Sequence, residues 1–180
     1  MRIILQIIGI PILLLGLTIA TLKIENRNAD GPSILFPGGA LQSGELHMGP
    51  EPDWSFAKEV VTIELQLEDP VSSRRIFIIE SAGKVYIPSG YMRSVLGRIW
   101  KDWAFQADAG DGLAVARIEG VRYERQLVRI TDDNILSGVA AELTKKYAAD
   151  SSPEAIKKTL QSMVEGDTWI FEMAPRGISR

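Results

Sequence analysis

The chain has 180 residues, with 20 Lys and Arg against 23 Asp and Glu, a net charge of −3, one histidine and no cysteine. So weak an acidity supplies no basic face, and no nucleic-acid partner is expected. The absence of cysteine removes disulfides, thiol catalysis, thiolate metal sites and lipoprotein acylation, and a single histidine removes a histidine-based metal centre.

Ile3 to Leu22 is a run of twenty residues without a charge. At about 1.5 Å per residue it spans roughly 30 Å as a helix, the thickness of a bilayer's hydrocarbon core. A signal peptide would use Arg2 as its basic start and Thr18, Ile19 and Ala20 as a cleavage site. The length of the run and the poverty of that site favour an uncleaved anchor, residues 1–22, over a signal peptide or a buried core helix. Arg2 and the terminal amine nearly balance Lys23 and Arg27, so the positive-inside count is almost even; the outer, periplasmic face is preferred for the domain. Residues 23–58 read as an extended linker or arm. Gly31-Pro32, Pro37-Gly38-Gly39 and Gly49-Pro50 break it, and Ile34, Leu35, Phe36 and Leu41 are apolar enough to lie across a domain.

A single domain is expected over 59–180. Val61, Ile63, Leu65 and Leu67 alternate with polar residues, the period of a half-buried strand. Arg75 to Glu80 is apolar on both faces and predicts a central strand. Ser81-Ala82-Gly83 turns it into a third strand, Lys84 to Pro88. Met92, Val95, Leu96, Ile99, Trp100 and Trp103 form one stripe of a 3.6-residue period, which predicts one helix with both tryptophans in the core. Leu113–Ile118 and Val121–Thr131 follow as a hairpin closed by Glu119-Gly120. Tyr123, Arg125 and Arg129 share a face of the second of these strands, read as facing solvent. Asp132 or Asp133 caps a helix with Ile135, Leu136, Val139, Ala140, Leu143 and Tyr147 on one face. Ser151 opens another, with Pro153 in its first turn, Glu154 closing a capping box and Gly166 ending it. Thr168 to Met173 is a final strand.

The chemistry-bearing residues are sparse. His47 has Ser43 and Asp53 near it in sequence only, and is read as a loop residue. Asp108 to Gly112 lacks the alternating ligands and terminal Glu of a calcium loop, and is read as a polar turn. The passage from Ile87-Pro88-Ser89 into a helix start offers unpaired N–H groups, a hydroxyl and the guanidinium groups of Arg93 and Arg98. Arg74 and Arg75 are placed to approach from the neighbouring strand. A capped helix with a solvated basic face is the competing reading.

The order VTIELQL (61–67), RRIFII (74–79), GKVYIPS (83–89), a basic helix, LAVARIEGVRY (113–123) and TWIFEMAPR (168–176) resembles the FMN-binding split barrels of the pyridoxamine-phosphate-oxidase-like and deazaflavin-dependent nitroreductase-like proteins. The resemblance implies an α+β fold, mainly β with helices, built on a split barrel of about six strands. It implies a phosphate held by Arg74, Arg75, Ser89 and Arg93, with FMN or a deazaflavin as cofactor and a homodimer as the assembly. The chain departs from that pattern in lacking the lysine after the third strand and in carrying a longer helix with two tryptophans. The expected function is a membrane-anchored, oxidoreductase-like protein binding one of these cofactors. The alternative is a non-catalytic, membrane-anchored domain that binds a ligand or protein.

Overall fold

The computed structural model describes residues 2–34 and 36–177. The expected packing of Leu35, and of the Leu96 and Ile99 side chains in their stripe, lies outside the described residues and side chains.

Helix α1 runs through Arg2–Asn26, and its side chains from Gly9 to Glu25 are exposed. It is long and apolar enough to cross a membrane, with Pro11 tolerated inside it. The chain then folds back as an ordered arm. Gly38 and Ser73 exchange backbone hydrogen bonds of 2.9 Å, and the Leu41 N–H donates to Gln66 Oε1 at 2.7 Å. The crossing requires glycine, because a Cβ on Gly38 would sit 1.8 Å from the Gly31 carbonyl oxygen. The arm closes on strand β1 (Glu45–Leu46) and a 3₁₀ turn (Trp54–Lys58) capped by Asp53.

Seven further strands follow: β2 (Thr62–Glu68), β3 (Val71–Phe77), β4 (Ile79–Ser81), β5 (Lys84–Ser89), β6 (Leu113–Ile118), β7 (Val121–Ile130) and β8 (Trp169–Ala174). Their order is β3-β2-β6-β7-β8-β5-β4, all antiparallel, with β1 added parallel to β7. The sheet curls until β3 touches β5, so the architecture is an α+β half-barrel whose long strands are β2, β3, β5, β6, β7 and β8. Both two-residue hairpin turns place their residues at positive φ: Ala82 and Gly83, then Glu119 and Gly120. That matches the right-handed twist of the strands they join.

Alternation divides the sheet's two faces. Ile63, Leu65, Ala114, Ala116, Leu127, Phe171, Val85 and Ile87 point into the barrel, where Trp54 and Trp103 fill the space. The outer face of β8, β5 and β4 packs on α4 (Asp133–Tyr147) and α5 (Pro153–Val164) through Ile79, Tyr86, Ile170, Leu136, Val139 and Met163.

Four local expectations change. Arg75–Glu80 is not a central strand: the chain bends at Ile78, β3 forms the sheet edge and Phe77 is exposed. The segment's apolar residues are covered without a central position: Ile76 and Ile78 join the barrel core, Ile79 packs on the helices outside, and Phe77 rests against the Tyr147 ring. Tyr123, Arg125 and Arg129 do not face solvent. They lie on the inner face in register with Ala116, Ala114 and Phe171. The helix over 92–103 is two helices, α2 (Val95–Trp100) and α3 (Asp102–Ala109), broken at Lys101, whose φ and ψ of −112° and 22° leave the helical region. The break turns Trp103 into the core and leaves Trp100 75% exposed. Finally, Ser152 rather than Ser151 caps α5, its Oγ accepting from the Ala155 N–H.

Candidate functional site

Ser89 ends β5 with its side chain fully buried, and its hydroxyl donates to Met92 Sδ at 3.2 Å. The chain then turns through Tyr91 at a φ of 62°, and Ser94 caps α2 by accepting from the Gly97 N–H at 2.8 Å. The helix start that was a candidate anion cradle therefore already has a side-chain cap. Arg93 is exposed beside a different groove, shared with Lys158, Glu165 and Asp167 of the α5 region. Arg74 and Arg75 occupy the edge strand β3 with opposite orientations. Arg74 points inward over the Trp103 ring, 5.6 Å from its centroid, and Arg75 points outward opposite Glu64. The structure brings Arg74 and Arg75 to one cleft and leaves Ser89 and Arg93 elsewhere. Because the Ser89 hydroxyl is buried and committed to Met92, these four residues do not fit one flavin phosphate within a single chain.

The cleft that holds Arg74 was not visible as a site in the sequence. It has two adjoining lobes. The larger, about 460 Å³, lies between Lys23, Ile24 and Arg27 at the end of α1 and Arg74, Trp100 and Trp103 of the barrel rim. The smaller, about 220 Å³, continues beneath the arm at Phe36 and is lined by Arg75 and Lys101 as well as by Arg74 and both tryptophans. The arm's return places α1 here: the Asn26 side-chain amide donates to the carbonyls of Phe36 and Pro37 at 3.0 and 2.7 Å.

The electrostatics of this cleft are one-sided. Lys23, Arg27, Arg74, Arg75 and Lys101 line it, and Asp102 is the one carboxylate among the described residues that does so. Among the described residues, none of the five cations makes an ion pair with a carboxylate. Burial pushes the Arg74 guanidinium down to about 10, against a smaller opposing pull from Asp102. Burial, and then the charge of Arg74, lowers Lys101 as well. One Arg74 nitrogen donates to Ser72 Oγ at 3.2 Å, while its buried Nε has no partner.

The inward arginines of β7 each have a carboxylate partner, although the buried Nε of Arg125, like that of Arg74, makes no hydrogen bond. Arg125, only 4% exposed, pairs with Glu51 at 2.7 Å and stacks 4.9 Å above the Trp54 ring. Arg129 pairs with Asp108 at 3.2 Å and lies 3.3 Å above the Trp169 ring. Arg117 reaches Glu64 at 2.6 Å and Asp30 at 2.8 Å, clasping the arm to the sheet.

The remaining sequence candidates are structural. His47 Nε2 lies 2.8 Å from the Pro50 carbonyl, its ring rests on Tyr123, Ser43 Oγ accepts from Arg117, and Asp53 caps the 3₁₀ turn. Asp111 accepts from the Leu113 N–H in a polar turn, and Asp108 holds Arg129. Among the described residues no group of three His, Asp or Glu side chains is placed to hold a metal.

No family model and no curated protein sequence matches the chain. Among solved structures it is similar to the conserved hypothetical protein Rv2991 from Mycobacterium tuberculosis. The TM-score is 0.49 and the identity 12%, over 76% of this chain and 86% of that one.

Proposed function

We propose that this chain is a non-catalytic, membrane-anchored binding domain whose cleft at the foot of α1 takes an anionic ligand. One observation carries the reading: five cations line a cleft with two tryptophans, and none of them is paired with a carboxylate among the described residues. A folded domain that gathers five cations around a single carboxylate gives up stability, and an incoming anion restores it. The cleft is also lined by Trp100, which is largely exposed, and by Arg74, whose guanidinium lies over Trp103. Guanidinium forks and ring faces suit a phosphate or carboxylate carried on an apolar or planar body.

The test is ligand-dependent stability of the full chain in detergent. Inorganic phosphate, FMN and a deazaflavin are titrated separately against the unmodified protein and the Arg74→Gln variant. Stabilisation by at least one of these anions, lost in Arg74→Gln, is the expected result. Purified protein carrying stoichiometric flavin absorbance that survives Arg74→Gln but not Ser89→Ala with Arg93→Gln would overturn the reading in favour of a flavin site.

A further inference from the structure

Resting on that reading of the cleft as an anion site, we infer that its ligand is the headgroup phosphate of an anionic phospholipid in the very bilayer that α1 enters. The geometry points to the depth. The uncharged run Ile3–Leu22 takes up about 30 Å, a full hydrocarbon core. Lys23 to Arg27 then adds roughly 7 Å of helix and turn, comparable to the headgroup layer on one side of a bilayer. Lys23, Ile24 and Arg27 are the α1-side wall of the cleft. The cleft therefore opens at headgroup depth.

The chemistry matches that depth. Lys23 and Arg27 are exposed at the helix end, where long cationic side chains meet phosphates. Trp100 is 75% exposed on the opposite wall. Tryptophan with one side wet and one apolar collects at the membrane interface. Tyr91 and Val95, on the turn before α2 and at its start, are exposed as well. An anionic headgroup entering from the bilayer meets Arg27, Lys23 and Arg74 together, with its acyl chains left beside Ile24. The barrel would thus dock with its β3 and α2 rim against the membrane rather than swinging free on its tether.

Full-length protein in nanodiscs tests this. Trp emission is read with a headgroup-labelled quencher lipid in two backgrounds: phosphatidylcholine alone, and phosphatidylcholine with phosphatidylglycerol. Quenching should rise in the anionic discs, fall with added salt, and drop in Trp100→Phe. Two cations at about 1 kcal/mol each make Lys23→Gln with Arg27→Gln roughly thirtyfold weaker for the anionic lipid. That pair is exposed and leaves the barrel's interior untouched; Arg74→Gln is the second arm. Quenching that ignores lipid charge, while inorganic phosphate still stabilises the protein through Arg74, overturns the lipid inference and leaves the anion site standing. No response to either lipid charge or phosphate overturns both.

Discussion

Replacing Arg74 with methionine should make the protein more stable while abolishing anion binding. Burial holds the guanidinium at about 10, below the ordinary 12.5. At 1.36 kcal/mol per pH unit, that separation corresponds to about 3 kcal/mol of penalty on the charged form. Arg74 is half-buried, so solvent screening reduces the recoverable part to about 1–2 kcal/mol. Methionine keeps the unbranched stem against Trp103 but gives up the cation–π contact, about 0.5–1 kcal/mol. The net expectation is a gain of about 1 kcal/mol at pH 7, or roughly 2–4 °C in Tm for a chain of this length.

The pH dependence has a fixed sign. Between about 10 and the unfolded value the unfolded chain binds more protons at this site, so stability rises with pH there and the penalty fades. The gap between Arg74→Met and the unmodified protein should therefore narrow as pH passes 10. Thermal unfolding of the full chain in detergent at pH 7 and pH 10.5 measures both effects. A variant less stable by 1 kcal/mol or more, with a gap indifferent to pH, would mean that Arg74 is a strut and that the cleft is not strained by unpaired charge.

Three further outcomes follow from packing and hydrogen bonding elsewhere. Gly97→Ala should cost about 1–3 kcal/mol and unseat α2, because its Cβ would fall 1.7 Å from the Tyr91 carbonyl oxygen, a backbone atom that no rotamer change can move; loss of protection at the α2 amides in hydrogen exchange reports it. Lys146→Met should cost about 2–4 kcal/mol in chemical denaturation, since Nζ donates to the carbonyls of Ala57, Val60 and Ile78 at 2.8, 2.6 and 3.0 Å and the variant orphans acceptors near the core. Asp30 is held below its usual carboxylate range by hydrogen bonds from Ser43 and the Gln42 N–H and by Arg117. Its contribution is therefore present above about pH 4 and fades as pH falls further, so proteolysis of the arm should speed up below pH 4, and Asp30→Asn should show that faster cleavage at neutral pH.

Most of the long strands, the two tight hairpins and the α4 stripe were legible in the sequence because each rests on a local period or a local turn. Leu65 and Leu67 alternate with Glu64 and Gln66 whatever covers them, and Glu119-Gly120 turns wherever its strands go. What escaped was decided by pieces distant in sequence. Ile76 and Ile78 join the barrel core, Ile79 packs on α4 and Phe77 rests on Tyr147, so the segment 75–80 reads as an interior strand while β3 sits at the edge. The 92–103 stripe is a valid helical period that one residue, Lys101, interrupts. The cleft was illegible for the same reason: its walls come from residues 23–27, 74–75 and 100–103, and only the fold-back of the arm through Asn26 and Pro37 brings them together. The nearest sequence signal was the adjacent pair Trp100-Lys101, an aromatic and a cation at the end of a short apolar helix.

The inward arginines separate a structural role from a binding one. Arg125 and Arg129 each combine an aromatic ring with a carboxylate, and so satisfy both the stem and the charge that burial makes expensive. Arg74 has the ring but, among the described residues, no carboxylate in contact, and its neighbours across the cleft are further cations. If the only role of Arg74 were to cover Trp103, a neutral side chain of similar length would do so at lower electrostatic cost. Asp102, close enough to pull on Arg74 through space, instead accepts from Gln106 at 2.5 Å and leaves the guanidinium without a salt bridge. A cation kept unmatched inside a fold that matches its equivalents is the expected mark of a group whose partner arrives from outside. Its position, at the foot of an apolar helix, indicates the direction of arrival.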